Sequence, residues 1–262
     1  PTIGHIEGAQ DYLDTHLDHG YPGKRRFPYN KVDYVFLLGE YDEQYFELQN
    51  TKITGSPRFD SFQNQNSKSV KSEIKQVGIN CNFSYGLYAD VAKQWVMDIV
   101  ETTDSLSVKH QISQHIGDVT DLSKFNLYQN GIYDMINEST VFVSRFSTAI
   151  IEALLLGCPV IYYNPHKEMQ PTFLDSIGGF PTPTTKSELK NALQDVLENP
   201  EKWLRRAEKF LDFHVAFKDG ISAKIFAKEL IEIAKKKTTF DSYFPIRSHV
   251  KYIIELITRK FK

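Results

Sequence analysis

Apolar residues along the chain fall into two patterns, short continuous runs and longer stretches at helical spacing. The run VDYVFLLG at 32–39 predicts a buried strand, and EYDEQYFELQ at 40–49 a short helix. KITGSPRFDSF at 52–62 reads as a strand that ends in a Gly-Ser-Pro turn. A polar stretch at 63–73 has no periodicity and reads as a linker. Regular alternation follows. KQVGINCNF, SVKHQISQ, VFVSRF and PVIYYNP predict strands, and LYADVAKQWVMDIVETT, KFNLYQNGIYDMINES and STAIIEALLLG predict helices between them. A longer helical stretch, KSELKNALQDVLENPEKWLRRAEKFLDFHV, breaks at Pro200. Strands separated by helices indicate βαβ units on a parallel sheet, an α/β fold of the Rossmann type. Helices follow at 222–237, with Ser222 as N-cap, and at 247–262, amphipathic and basic.

Bulk composition narrows the function classes. With 262 residues, 41% hydrophobic and 24% charged, the chain is long enough for one large or two small domains. A net charge of −2 gives no general attraction to nucleic acid, and the 14 Tyr and 18 Phe follow core periodicity without interleaved Lys or Arg. Cys81 and Cys158 sit at strand edges among apolar residues and read as reduced core thiols. No apolar run is long enough to cross a bilayer and no signal peptide is visible, so a cytoplasmic location is expected. The basic 247–262 helix has two readings: docking on its own protein, or peripheral contact with an anionic inner-membrane surface. The opening PTIGHIEG reads as the end of a strand and a loop, without Met, as though the chain begins inside a larger protein.

Packing does not account for the residues that follow the strand at 141–143. Ser144-Arg145-Phe146-Ser147-Thr148 stand where the carboxyl edge of a parallel sheet binds ligands, and Glu152 interrupts an otherwise apolar helix stopped by Gly157 and Pro159. A helix starting at Ser147 presents free N–H groups suited to phosphate, and Glu152, one turn in, suits ribose hydroxyls. The alternative is that Ser147 only caps the helix and Glu152 is a solvated surface acid. NCNFSYG at 80–86, between a strand and a helix and ending in Gly86, is a second loop able to cradle phosphate with backbone N–H groups.

The segment IYDMINESTVFVSRFSTAIIEALLLGCPVIYYNPHKE resembles the second domain of GT-B glycosyltransferases of bacterial surface polysaccharide synthesis. The likeness extends to CDP-glycerol glycerophosphotransferases and retaining β-Kdo transferases. It implies a first, acceptor-side Rossmann-like domain of which 1–62 is the tail, a linker at 63–73, a nucleotide-donor domain at 74–216, and C-terminal helices at 217–262 crossing back. It further implies that Ser147, Thr148, Glu152 and Ser144 hold the nucleotide with Asn82 and Ser84. TGSPRFD at 54–60 resembles the turn between the two domains, with Arg58 and Asp60 sent toward the cleft; the alternative is an Arg58–Asp60 surface pair. GHIEG at 4–8 resembles the His-x-Glu turn of UDP-N-acetylglucosamine 2-epimerases, although the Gly8-Ala9-Gln10 that follows departs from the epimerase pattern.

The expected catalytic set is therefore Asp60, Glu7 and His5, a carboxylate acting as base or nucleophile. Arg58, His110, His115, Arg145 and His166 are expected phosphate or sugar contacts, with Glu168 beside His166. His110 and His115 lack the neighbours of a metal site, and neither metal nor cofactor is expected. The implied reaction moves a sugar from a nucleotide donor, CMP-Kdo in the leading place, to a lipid-linked or oligosaccharide acceptor of a lipopolysaccharide or capsule. A UDP-sugar 2-epimerase or hydrolase, or a CDP-glycerol polyol-phosphate transferase, is the alternative.

Overall fold

The computed structural model describes residues 1–10, 32–46, 50–64, 75–84, 88–169, 173 and 178–236. Two parallel sheets organise them. The first comprises β1 (Ile3–His5), β2 (Tyr34–Leu37) and β3 (Asn50–Ile53) in that order, with Gly4 opposite Val35 and Val35 opposite Thr51. The second comprises β4 (Gln76–Cys81), β5 (Lys109–Gln114), β6 (Val141–Ser144) and β7 (Val160–Tyr162) in the order β5-β4-β6-β7. The helices are α1 (Ala89–Ser105), α2 (Ile132–Glu138), α3 (Ala149–Leu155), α4 (Lys186–Glu198), α5 (Pro200–His214) and α6 (Ser222–Lys235). Strands β4, β6 and β7 are nearly continuously buried, as expected of parallel strands covered on both faces.

Two apolar clusters form the core. One lies between the second sheet and helices α1 and α4, centred on Trp95, whose Nε1–H donates to the Tyr163 carbonyl at 2.9 Å. The other runs through both sheets. It joins Ile6, Val35 and Leu37 of the first to Phe142, Val160 and Tyr162 of the second through α3 and the Phe210 face of α5. The carbonyl of His214, at the end of α5, approaches so closely that a Cβ on Gly39 would lie 2.5 Å from its oxygen. Gly157 adopts φ +72, and the Cys158 N–H reaches back to the Ala153 carbonyl, so α3 ends where its glycine requires.

Several elements differ from the expectation. Only Ile132–Glu138 of the predicted helix at 124–139 is helical, because Leu127 forms a parallel bridge with Ile112 and draws the segment along the free edge of β5. Residues 40–45 form a 3-10 helix, with Asp42 accepting the Leu38 and Gly39 N–H groups. Ser222 does not cap α6; its hydroxyl donates to the Phe217 carbonyl, and Asp60 supplies the cap. Helix α6 packs on the first sheet, its Phe226 ring edge-on to His5 and Phe36, with Lys52 pairing Glu229 at 3.3 Å. Most of the linker (65–73) and the basic helix (247–262) lie outside the described residues. Both cysteines are free and buried. No helix among the described residues is long and apolar enough to cross a membrane.

Candidate functional site

The carboxyl edges of the two sheets face one another, since the chain leaving β1 and the turn leaving β3 both touch residues that follow β6. A Cβ on Gly8 would lie 2.6 Å from Thr148 Oγ1, so only glycine permits this approach. There the Ala9 N–H donates to Thr148 Oγ1 at 3.1 Å. Ser147 Oγ accepts the Ala149 N–H at 3.2 Å, which makes Ser147 and Thr148 the polar entry to α3.

Glu152 is neither solvated nor free. It is 5% exposed, and its Oε1 takes an ion pair from Arg58 at 2.7 Å and a hydrogen bond from the Tyr133 hydroxyl at 3.1 Å. Burial raises its carboxyl pKa above the ordinary value, opposed by the Arg58 charge and the Tyr133 hydroxyl. Arg58 thus pairs with the acid of the second sheet's helix and not with Asp60. Tyr133 lies inside a helical segment whose sequence does not distinguish it from a core aromatic.

The three catalytic candidates separate. Both Asp60 oxygens are engaged, accepting the N–H groups of Ser222 at 3.0 Å and Ala223 at 2.8 Å at the start of α6. That position corrects the expectation that Asp60 turns toward the cleft: its charge compensates orphan helix donors. The His5 ring is held with Nε2 3.1 Å from the Gly55 carbonyl oxygen and stacks edge-on with Phe226. Glu7 is exposed, on the same loop as Gly8.

A second polar group lies at the ends of β4, β5 and β6. Ser144 is fully buried; it accepts from Asn80 Nδ2 at 2.9 Å and donates to the Arg145 carbonyl, so it ties the sheet and is not placed to touch a ligand. Arg145, 2% exposed, is a buried residue and not an open phosphate contact: Nη2 bonds Glu168 Oε1, Nη1 donates to the Asn82 carbonyl at 2.5 Å, and the guanidinium lies over Phe83 and Tyr88. Glu168 is fully buried; burial opposes its charge, but the His166 hydrogen bond and the Arg145 charge outweigh it and hold the carboxyl below its ordinary pKa. His166 is enclosed likewise, with Nε2 3.3 Å from Glu168 Oε2 and its ring on Tyr88.

From Asn82 the hydrogen bonds lead outward. Asn82 Nδ2 donates to the Phe146 carbonyl, and its Oδ1 lies 2.6 Å from Ser84 Oγ, which is 2.7 Å from His115 Nδ1. His115 is exposed, and the Gly117 N–H donates to the same Nδ1 at 3.0 Å. The loop is pinned by Asp118, which accepts from the Phe83 and Thr120 N–H groups and from the Cys81 thiol. Nothing in the sequence pattern marks Asp118 for this role. His110 is at the opposite, amino end of β5, bonded to Thr103 Oγ1 at 3.0 Å, beside an open hollow of about 370 Å³ formed with 125–130. It is therefore separated from the facing carboxyl edges, because a strand of six residues lies between the two ends. Among the described residues, no group of three or more His, Cys, Asp or Glu could hold a metal ion.

No family model matches the chain, and no curated protein matches it in sequence. Solved structures do resemble it. The UDP-GlcNAc 2-epimerase from Neisseria meningitidis bound to UDP-GlcNAc has a TM-score of 0.64 at 16% identity, over 88% of this chain and 70% of that one. A putative UDP-N-acetylglucosamine 2-epimerase from Listeria monocytogenes has a TM-score of 0.63 at 12% identity, over 90% and 74%. The wall teichoic acid polymerase TagF, as its H444N variant soaked with CDPG, has a TM-score of 0.50 at 14% identity, over 78% and 58%. The chain thus spans under two thirds of the polymerase's length. At these identities the likeness concerns the fold: parallel α/β units flanked by helices, facing each other across their carboxyl edges in the GT-B arrangement.

Proposed function

We propose that the chain acts on a nucleotide-activated substrate between the carboxyl edges of its two sheets, transferring the activated sugar or polyol to a surface-glycan acceptor. The observation that carries this reading is the convergence on the first turns of α3: Gly8 and Ala9 from one sheet edge, Arg58 from another, and Ser147, Thr148 and Glu152 from α3 itself. The nucleotide's ribose takes the Glu152 carboxylate, and Arg58, released from that ion pair, turns to the phosphates with Ser147 and His115. Glu7, exposed at the end of β1, is the cleft carboxylate that acts as base. Asp60 is not given this role, since each of its oxygens accepts an N–H at the start of α6.

The neighbours' named ligands, CDPG and UDP-GlcNAc, put CDP- and UDP-linked donors ahead of CMP-Kdo. The acceptor in this reading is a lipid-linked or oligosaccharide glycan. Epimerase or hydrolase chemistry is the second reading, favoured by the closer fold likeness to the epimerases and by His5-x-Glu7 at the end of β1. Turnover of a UDP-sugar without any acceptor distinguishes it.

Calorimetric titration with CDP, UDP and CMP tests the common part. One of these is expected to bind, and Glu152→Ala to weaken it by about 1–3 kcal/mol, the range for losing a charged hydrogen-bond partner. Unchanged affinity in a folded Glu152→Ala protein overturns the assignment.

A further inference from the structure

Tyr133 has no part in the reading above, yet its hydroxyl stands on the acid that takes the ribose. It donates to Glu152 Oε1 at 3.1 Å, and Arg58 Nη2 lies 2.7 Å from the same oxygen. Among the described residues, Glu152 Oε2 accepts no hydrogen bond. The two groups on Oε1 differ in freedom. The Arg58 side chain is 42% exposed. The Tyr133 ring instead packs edge-on against the buried Phe62, with ring centroids 5.2 Å apart, and joins the cluster that runs through both sheets. An exposed guanidinium on a long stem can swing to a phosphate, whereas a ring held in close packing stays where it is.

We propose that Tyr133 is a positioning residue that holds Glu152 to the ribose once Arg58 has moved to the phosphates. The proposal rests on the functional reading above, which gives Glu152 the ribose and Arg58 the phosphates. In the free protein both groups support the carboxylate. When a phosphate draws Arg58 away, the Tyr133 hydroxyl is the one of the two that remains. Its single proton is directed at Oε1, which leaves Oε2 to accept from the ribose hydroxyls.

A carboxylate so deeply buried needs such support. Burial raises the Glu152 pKa, and Arg58 and Tyr133 are the two groups that oppose the rise. Tyr133 keeps its proton to give, because burial, with the Glu152 charge behind it, pushes its own pKa up to about 12. Loss of the hydroxyl is felt unequally in the two states. In the free protein the Arg58 ion pair still supports Glu152, and in the complex that pair is gone. Removing the hydroxyl therefore costs more in the complex, and the difference is read as lost affinity for the ribose hydroxyls.

The test is calorimetric titration with CDP and UDP and with their dideoxy forms, which lack both ribose hydroxyls. The wild type is expected to prefer the ribonucleotide, since the dideoxy form brings Glu152 no donor. Tyr133→Phe keeps the ring on Phe62 and is expected to weaken the ribonucleotide about tenfold, while the dideoxy form binds as it does to the wild type. Arg58→Ala is expected to keep the preference for the ribonucleotide, because the hydroxyl still holds Glu152. A folded Tyr133→Phe protein that binds the ribonucleotide as the wild type does, or that loses affinity equally for both forms, overturns the inference. Loss of the preference in Arg58→Ala overturns it as well, and this measurement decides if Tyr133→Phe does not fold. Unchanged ribonucleotide affinity in Glu152→Ala, or no nucleotide binding by the wild type, overturns the functional reading, and the inference falls with it.

Discussion

His214, at the end of α5, illustrates how far burial alone can move a side chain from its ordinary chemistry. It is 3% exposed, its ring lies against Phe210 and Tyr41 at 4.2 Å each, and burial pushes its pKa down to about 3. The folded protein therefore keeps the ring neutral, whereas the unfolded chain takes up a proton below about pH 6.5. The unfolded state binds more protons in that window, so this residue lowers stability as the pH falls, by up to about 1.4 kcal/mol per pH unit. Urea unfolding from about pH 7 to about pH 5 is expected to show a loss of about 2 kcal/mol attributable to it, absent in His214→Phe, whose ring keeps the stacking. An equal pH dependence in the two proteins would show that the ring is not buried neutral. Glu152 is the contrasting case: burial raises its pKa too, but the Arg58 charge and the Tyr133 hydrogen bond oppose that rise, which no neighbour does for His214.

Helix α6 depends on an acid from a distant part of the chain. Asp60 accepts both the Ser222 and Ala223 N–H groups, across 162 and 163 residues of sequence, so the turn after β3 and the start of α6 stabilise one another. Asp60→Ala is expected to cost about 1–2 kcal/mol in urea unfolding, the upper part of the range for a lost N-cap, with nucleotide affinity retained. Stability unchanged together with turnover lowered by about 10²-fold would instead return Asp60 to the catalytic set. The same element level explains the short α3. It enters through Thr148, which is committed to Ala9, and exits at Gly157, and all seven residues of the helix, Ala149–Leu155, are buried.

Across the whole molecule, one apolar cluster passes from the first sheet through α3 and α5 into the second. Neither sheet can lose its packing without exposing part of the other's. Chemical denaturation is therefore expected to give one cooperative transition, with far-UV circular dichroism and Trp95 and Trp203 fluorescence coincident. Two separated transitions would mean that the sheets unfold as independent domains, the organisation that the sequence expectation of a linker at 63–73 suggests. The contacts at Gly8 and Arg58 add polar ties to this shared core at the edge where the site lies.

The amino-acid sequence by itself determined the succession along the chain of the four strands that form the second sheet, the stop at Gly157, the buried state of Cys81 and Cys158, and the edge at which polar residues gather. These follow from local periodicity, turn chemistry and apolar runs, which act over a few neighbouring residues. Only the tertiary structure decided which polar residue serves which partner. Asp60 became a helix cap, Arg58 the partner of Glu152, Arg145 a buried ion pair, Thr148 the acceptor of Ala9, and His110 a residue of the far edge. Such pairings join positions as much as 163 residues apart, and no pattern within either segment encodes them. A carboxylate or guanidinium takes the donor or acceptor that folding brings within about 3 Å, and desolvation makes that local match outweigh any motif it came from.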